Sequence, residues 1–407
     1  MELFLLYQYF IALILFILFI NFIFNHFLFK DITIFKLSDE IKNNPPLVSI
    51  LIPARNEEKN IQRCLKAFLK QDYPNFEIIV LDDNSTDDTY NIVKKLSEKN
   101  KNIKIYKGKR LPAGWLGKNF ACHQLSRYAK GEYLIFTDAD TYHLPNSISC
   151  ALAALINNNL DALCPIPREI MVTIHERMVI PFMNFAILLF MPFALIKKSK
   201  NPLFATGVGQ YFIFKRETYF GIGGHAAVKG KILEDVHIAK KTKEMGYKYM
   251  IFDGSKIVSC RMYKNFKEVF LGYSKFLFSA FDYNAFMMTI ALGFFALFFL
   301  LPYIFLPAGL FLYHWPREII SSIIVQISII SIIKIINALR LKERILDFLL
   351  VPVSIIYIII IAINSYFQSK FGVGIYWKGR TYQAESNSDE LSIVENDDVK
   401  LKTGKLH

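Results

Sequence analysis

Hydrophobic positions along this chain follow two regimes. At both ends they run almost unbroken. Residues 3–24 (LFLLYQYFIALILFILFINFIF) carry no charge, and 286–312, 319–339 and 348–366 are similarly apolar stretches. Each is long enough to be weighed against a bilayer core of roughly 30 Å. Between the ends, residues 30–285 mix charged and apolar positions with the periods of helix and strand. LVSILIPAR (47–55) is a short β-branched run ending near Pro53 and predicts a buried strand. Ile61, Leu65, Phe68 and Leu69 then recur at helical spacing, with Asn56 as the candidate N-cap. FEIIVLDDNSTDDT predicts strand and turn, TYNIVKKLSEK helix, and IKIYKG strand. NFACHQLSRYAKG predicts a helix with Gly131 as its C-cap, and GEYLIFTDAD a further strand. Alternation at this pace predicts an α/β domain around a mostly parallel, doubly wound sheet.

In such sheets ligands gather where strands end. Asp83, Asp138 and Asp140 all follow a predicted strand. Capping and Asx-turns account for part of DDNSTDDT, Asp87 and Asp88 first. A calcium loop of the EF-hand kind would need a turn glycine and a terminal glutamate that are missing here. Asp138 and Asp140 are open to the capping account as well. They are equally suited to sharing a divalent cation, which would offset the repulsion between them.

Composition and charge narrow the class. With 407 residues, 53% hydrophobic and 20% charged, the chain exceeds one ordinary domain and is too apolar to be wholly soluble. The first apolar segment has neither a basic leader nor an Ala-x-Ala-like exit, so an uncleaved anchor is expected over a signal peptide. The net charge of +13 raises nucleic acid as a partner. Lys and Arg are instead scattered and placed beside apolar segments, as at Lys197, Lys198 and Lys200, which favours membrane lipids as the counter-charge and no nucleic acid. Only Glu2 precedes the first segment, whereas Lys30, Lys36 and Lys42 follow it, so the middle domain is expected on the cytoplasmic side. Cys64, Cys122, Cys150, Cys164 and Cys260 form no C-x-x-C pair, and neither a zinc site nor a disulfide framework is indicated.

Taken in order, VSILIPARNEEKNI, VLDDNSTDDT, PAGWLGKNFAC, GEYLIFTDAD, GVGQYFIFKR, GGHAAVKGKILEDVHIAKK, RMYKNFKEVFLGYSK and a late YWKGRTY resemble the GT-A, family 2 glycosyltransferases. Within them the chain is most similar to the membrane-bound hopanoid- and carotenoid-associated enzymes. One D-x-D alone is a weak signal; eight motifs in order are a strong one. The resemblance covers residues 47 to about 280, with a weaker extension to 382. It implies a Rossmann-like GT-A domain, a nucleotide-sugar donor, UDP-sugar first, and Mn²⁺ or Mg²⁺. By motif, Pro53, Arg55, Asn56 and Glu57 match the loop lining the uridine pocket. Asp83 matches the carboxylate that accepts from the base N–H, and Lys118 a lysine beside the nucleotide. Asp138 and Asp140 match the metal pair, Asp140 being the direct ligand, and Asp235 of Glu234–Asp235 matches the general base.

These roles suit the chemistry. A sugar diphosphate leaves poorly unless its developing charge is neutralised, and hard cations prefer oxygen ligands. A carboxylate across the anomeric carbon can take the proton of an attacking hydroxyl in one in-line, inverting displacement. An acceptor that arrives as a carboxylate or phosphate would need little base. Against this, Glu234 and Asp235 in a first helical turn could merely complement the helix dipole, and Lys118 alone could be a solvated surface charge.

The chain also departs from the family pattern. The Gln-x-x-Arg-Trp signature is missing, and Gly272 and Tyr273 of VFLGYSK stand in its Arg–Trp places. Arg261, Tyr273 and Lys275 are the candidates for its acceptor or diphosphate contacts; Arg261 could alternatively pair with an internal acid. Gly207, Gly209 and Gln210 mark either a close approach of backbone or a relaxed turn into a strand. Gln210 and Glu234 join the acceptor-side candidates. Residues 179–196 are expected to form an interfacial helix, because a crossing there would separate Asp235 from Asp140.

The expected organisation is an anchor (1–29), a GT-A domain (30–285), a membrane region (286–368) and a polar tail (369–407). Three crossings after a cytoplasmic domain would leave Lys370, Lys378 and Arg380 outside, against the positive-inside tendency. A re-entrant hairpin at 286–312, around Pro302 and Pro307, would instead return YWKGRTY to the cytoplasm near the site. Beyond about residue 384 disorder is expected.

The expected function is metal-assisted, inverting transfer from a UDP-sugar to a lipid-like acceptor at the plasma membrane, with a carotenoid acid or hopanoid-type lipid favoured. A polyprenyl-phosphate or diacylglycerol acceptor is the alternative. A catalytically silent scaffold is the rival from another class, and retention of Asp83, Asp138, Asp140 and Asp235 together argues against it. A nucleotide-binding transporter subunit lacks its phosphate loop.

Overall fold

The computed structural model describes residues 1–371, 375–377, 380–384 and 391–394. Seven strands form the central sheet: β1 (Val48–Ala54), β2 (Phe76–Asp82), β3 (Ile103–Lys107), β4 (Tyr133–Phe136), β6 (Ala162–Ile166), β8 (Phe212–Lys215) and β9 (Tyr249–Asp253), in the order β3-β2-β1-β4-β8-β6-β9. β8 runs antiparallel to both β4 and β6, and the other pairs are parallel. Short strands β5 (Tyr142–His143), β7 (Arg168–Glu169) and β10 (Val258–Cys260) form a small second sheet. The expected α/β layout, with a mostly parallel, Rossmann-like sheet, is the one observed.

Alternation explains why both faces are covered. Along β1, Val48, Ile50 and Ile52 belong to one apolar core, and Leu51 to the other. Near-continuous apolar strands of this sort require helices on both sides. Helix Ile61–Phe68 supplies Ile61, Cys64, Leu65 and Phe68 at the predicted spacing. Two predicted caps are corrected. Asn60, not Asn56, precedes that helix; Asn56 sits at φ 53° and accepts from the Thr86 backbone, a side-chain bond that suits Asn to this left-handed position. Gly131 is not a C-cap either. Its N–H donates to Ser49 Oγ, and a Cβ there would lie 2.5 Å from the Ser49 nitrogen, so close approach to β1 is what requires glycine.

Among the described residues, four helices are long and apolar enough to cross a membrane: Glu2–Leu28, Ala285–Leu312, Arg317–Leu341 and Ile345–Phe371. Only 17% of the first one's most apolar stretch is buried, so its surface calls for a hydrocarbon surround. Ala285–Leu312 is one continuous helical rod, not a hairpin within itself. Two π-helical stretches, Ala296–Leu300 and Ala308–Leu312, alternate with its α-helical segments, and π-turns are a common way to absorb prolines such as Pro302 and Pro307.

The return of the chain comes about differently. Arg340, at the end of Arg317–Leu341, meets Asp253 of β9 at 2.8 Å. Asp347 then pairs with Arg177, and Ser365 accepts from the Phe278 backbone, so both ends of the last apolar helix lie against residues of the middle region. Helix Ile174–Phe190 shares a core with that last helix and with helix Phe266–Phe276. At its far end Asn25 donates to the Leu188 and Met191 carbonyls.

In the tail, β11 (Ile375–Trp377), β12 (Arg380–Ala384) and β13 (Leu391–Val394) form an antiparallel sheet. The expectation of disorder beyond residue 384 therefore does not hold for 391–394; Lys378, 385–390 and 395–407 lie outside the described residues.

Candidate functional site

Strand ends and helix starts converge above the middle of the sheet. Pro53, next to last in β1 and opposite Leu81 of β2, lines a cavity with Lys118, Thr137, Asp138, Gly209, Glu234 and Asp235. The two loops beyond β1 and β2 are knitted together. Arg55 donates to the carbonyls of Asp83 and Asn84 at 2.7 and 3.2 Å. The Asn56 N–H donates to Ser85 Oγ, and the Glu57 N–H to Thr89 Oγ1. Asp87 accepts from the backbones of Thr89 and Glu58, the capping role expected of it.

Asp83 and Arg380 form a buried, two-pronged ion pair at 2.5 and 3.0 Å, with side chains 5% and 4% exposed. Burial pushes the Asp83 carboxyl above its ordinary value, while Arg380 and then Arg55 pull it down.

The turn after β4 is closed by hydroxyls. Thr141 donates to the Asp138 carbonyl at 2.7 Å, and Thr137 donates to the Gln210 carbonyl at 2.8 Å. Asp138's carboxylate is thereby left to meet Lys118, which lies in the first turn of helix Gly117–Tyr128. Lys118 Nζ stands 2.8 Å from Asp138 and 2.9 Å from Glu234. Burial alone would lower the Lys118 ammonium, yet Asp138 and Glu234 hold it well above its usual range. Asp235 follows in helix Glu234–Glu244 and accepts from the Val236 N–H at 2.7 Å. Burial first, then Glu234, pushes its carboxyl up to about 7. Gly209 backs this cluster: a Cβ there would fall 2.5 Å from Lys118 Nζ and 3.6 Å from Asp235 Oδ2. Close approach, not mere relaxation of a turn, is what the glycine provides.

Asp140 keeps different company. Its carbonyl accepts from Arg63, and its carboxylate acts on Glu169, whose own carboxyl is pushed up to about 8 by burial first and Asp140 next. Among the described residues, no three His, Cys, Asp or Glu side chains gather where a metal could sit. Any cation at Asp138 and Asp140 would thus take its remaining oxygens from a diphosphate or water.

The acceptor-side candidates scatter. Arg261 pairs with the fully buried carboxylate of Glu176 at 2.9 Å, the internal acid weighed as its alternative partner. Tyr273 is buried in the core under helix Phe266–Phe276, and Lys275 lies in the same helix. Gln210 is buried with its Oε1 unbonded among the described residues. Sequence reasoning missed Glu169, which sits in a two-residue strand with no periodic signal. Nothing local in YWKGRTY gives Arg380 its partner, Asp83.

Residues 49–220 match the model of glycosyl transferase family 2. A 4,4'-diaponeurosporenoate glycosyltransferase of Staphylococcus haemolyticus (strain JCSC1435) is 28% identical over 233 residues, 56% of this chain and 60% of the relative. The protein of the same name from Staphylococcus aureus (strain MRSA252) is 27% identical over 241 residues, 58% of this chain and 61% of the relative. The match thus spans about three fifths of the curated relatives' length. Among solved structures, the mannosyltransferase PcManGT from Pyrobaculum calidifontis, in complex with GDP-Man and Mn²⁺, is similar at a TM-score of 0.49 and 18% identity, covering 79% of this chain and 88% of that one. Staphylococcus aureus TarS 1–349 in complex with UDP is similar at 0.41 and 17%, covering 86% and 97%. The stretch that holds Pro53, Asp83, Lys118, Asp138 and Asp140, residues 49–220, is a glycosyltransferase family 2 domain.

Proposed function

We propose that this protein is a membrane-anchored, inverting glycosyltransferase that moves a sugar from a UDP-sugar to a lipid-like acceptor at the cytoplasmic face of the plasma membrane. One observation carries the reading: Lys118, Asp138, Glu234 and Asp235, from three separate segments, converge on one cavity beside Pro53. In this reading Pro53, Arg55, Asn56, Glu57 and Asp83 hold the uridine. Lys118 is a cation beside the diphosphate, held in place by Asp138 and Glu234 until the donor arrives.

Asp138 and Asp140 are the residues that would hold Mn²⁺ or Mg²⁺. Their hard oxygens fit such an ion, and Asp138 already accommodates one cation, the Lys118 ammonium. When bound, the ion supplies charge neutralisation for the departing diphosphate. With a hydroxyl acceptor Asp235 takes the attacking proton, and its raised carboxyl suits a base working near neutral pH; with a carboxylate acceptor, which arrives ionised, Asp235 only orients. A carotenoid acid, the class named in the curated relatives, is the first acceptor to test, followed by a hopanoid-type lipid. The apolar core shared by Ile174–Phe190 and the last long helix supports an amphiphilic acceptor that stays partly in the bilayer.

The test is turnover by the purified full-length protein with UDP-sugars, Mn²⁺ and a carotenoid acid. Release of UDP together with a glycosylated lipid is expected, and chelation should stop it. Asp140→Ala should remain inactive at any metal concentration. Undiminished turnover after chelation would refute the metal role, and no turnover with any nucleotide sugar would favour the scaffold.

A further inference from the structure

Asp83 lies in the family-matched domain, but its ion-pair partner does not. Arg380 arrives from β12, after all four long apolar helices, and meets both carboxylate oxygens in a buried contact. We infer that Arg380 completes the nucleobase subsite: it fixes Asp83 as an ionised acceptor and so sets which base the donor must carry. This rests on the proposed role of Asp83 opposite the base.

The chemistry of the bases gives the inference its content. Uracil presents an N3–H donor, which an ionised carboxylate accepts. Cytosine presents a bare N3, which repels that carboxylate but accepts from a protonated one. Whether Asp83 discriminates therefore depends on its proton, and its surroundings oppose each other. Burial and Asp82 favour the protonated form, whereas Arg380 and Arg55 favour the ionised form. Arg55 donates to the backbone carbonyls of Asp83 and Asn84, whereas Arg380 touches the carboxylate itself. A two-pronged guanidinium also fixes the plane of the carboxylate, which a point charge would not. Arg380 is thus a positioning residue, acting on the base through Asp83.

The experiment is UDP and CDP binding to the full-length protein in detergent, with Mn²⁺ present, across pH 6 to 9. Wild type is expected to prefer UDP with little pH dependence. Arg380→Ala should weaken UDP at least about tenfold near neutral pH and narrow the UDP-to-CDP ratio by a similar factor, with UDP affinity recovering as pH rises and Asp83 ionises. Arg380→Lys, which keeps the charge, should restore most of the preference. Should the alanine variant fail to fold, Arg380→Gln removes the charge while keeping a hydrogen-bond donor and gives the same reading. UDP bound as tightly or more tightly by the charge-removing variants, at an unchanged ratio, would overturn the inference and leave the base-site reading standing. No preference for UDP over CDP in the wild type, or none lost in Asp83→Asn, would overturn both.

Discussion

The two halves of the candidate site hold their charges by different means. Around Asp83 the order is built into the backbone: Arg55 on two carbonyls, Asn56 on Thr86, Glu57 on Thr89, and a buried arginine on the carboxylate. Around Asp235 it is built largely from side chains, three acids from two segments gathered about one lysine, with the Val236 N–H on Asp235. In the proposed reading the first half receives a flat, neutral base, whereas the second meets a change of charge. In the same reading, Lys118 turns from the acids to phosphate when a diphosphate and a cation enter. Rigidity belongs where the ligand is invariant and exchangeable ion pairs belong where charge develops.

This contrast can be broken from either side. The largest effect is expected at Asp235. Asp235→Asn should lower transfer to a hydroxyl acceptor by about 10²–10⁴-fold and leave UDP-sugar affinity unchanged. With a carboxylate acceptor the loss should be under about tenfold, because no proton need be removed. Steady-state rates with both acceptor classes, alongside donor titrations, check this.

Next comes Lys118→Met, which strands Asp138 and Glu234 without their shared cation. A stability loss of about 2–3 kcal/mol is expected, at the low end for a broken buried pair, because the Lys118 side chain is 24% exposed. Thermal melting reads it.

Gly209→Ala should displace the ammonium by its Cβ and slow transfer roughly tenfold through misplacement alone, with little change in melting temperature. The smallest effect is expected in the other half. Asn56→Ala loses the bond to Thr86 and the residue type suited to φ 53°, costing about 1–2 kcal/mol and weakening donor binding without changing kcat.

The pH dependence separates function from stability. Asp235 as a base works only when ionised, so kcat/KM for a hydroxyl acceptor should rise with pH through about 7. Stability runs the opposite way. A carboxyl raised from 3.8 to about 7 in the fold keeps its proton where the unfolded chain has lost it. Its contribution is complete below about 3.8 and is lost as pH rises through about 7. Denaturant titrations of wild type and Asp235→Asn across that window measure it.

Much of this arrangement was legible in the chain itself. Strand–helix alternation gave the sheet, because a run such as VSILI has to be covered on both faces. The acids at strand ends pointed to the site, because open α/β sheets bind there. What stayed hidden was pairing across long separations. Nothing local couples Arg380 to Asp83, or Arg261 to Glu176; such partners are chosen by how helices pack, and no period records that. Caps misled for a related reason. Asn56 and Gly131 carry cap-like identities, yet each serves a neighbouring loop or strand that only the tertiary fold brings near.

The return of the tail has a practical consequence. Cutting away the apolar helices to obtain a soluble catalytic fragment, for example one ending at residue 285, would also cut away Arg380. Such a fragment would keep Lys118, Asp138, Glu234 and Asp235 but leave Asp83 without its guanidinium, so a nucleotide preference measured on it would not speak for the whole chain.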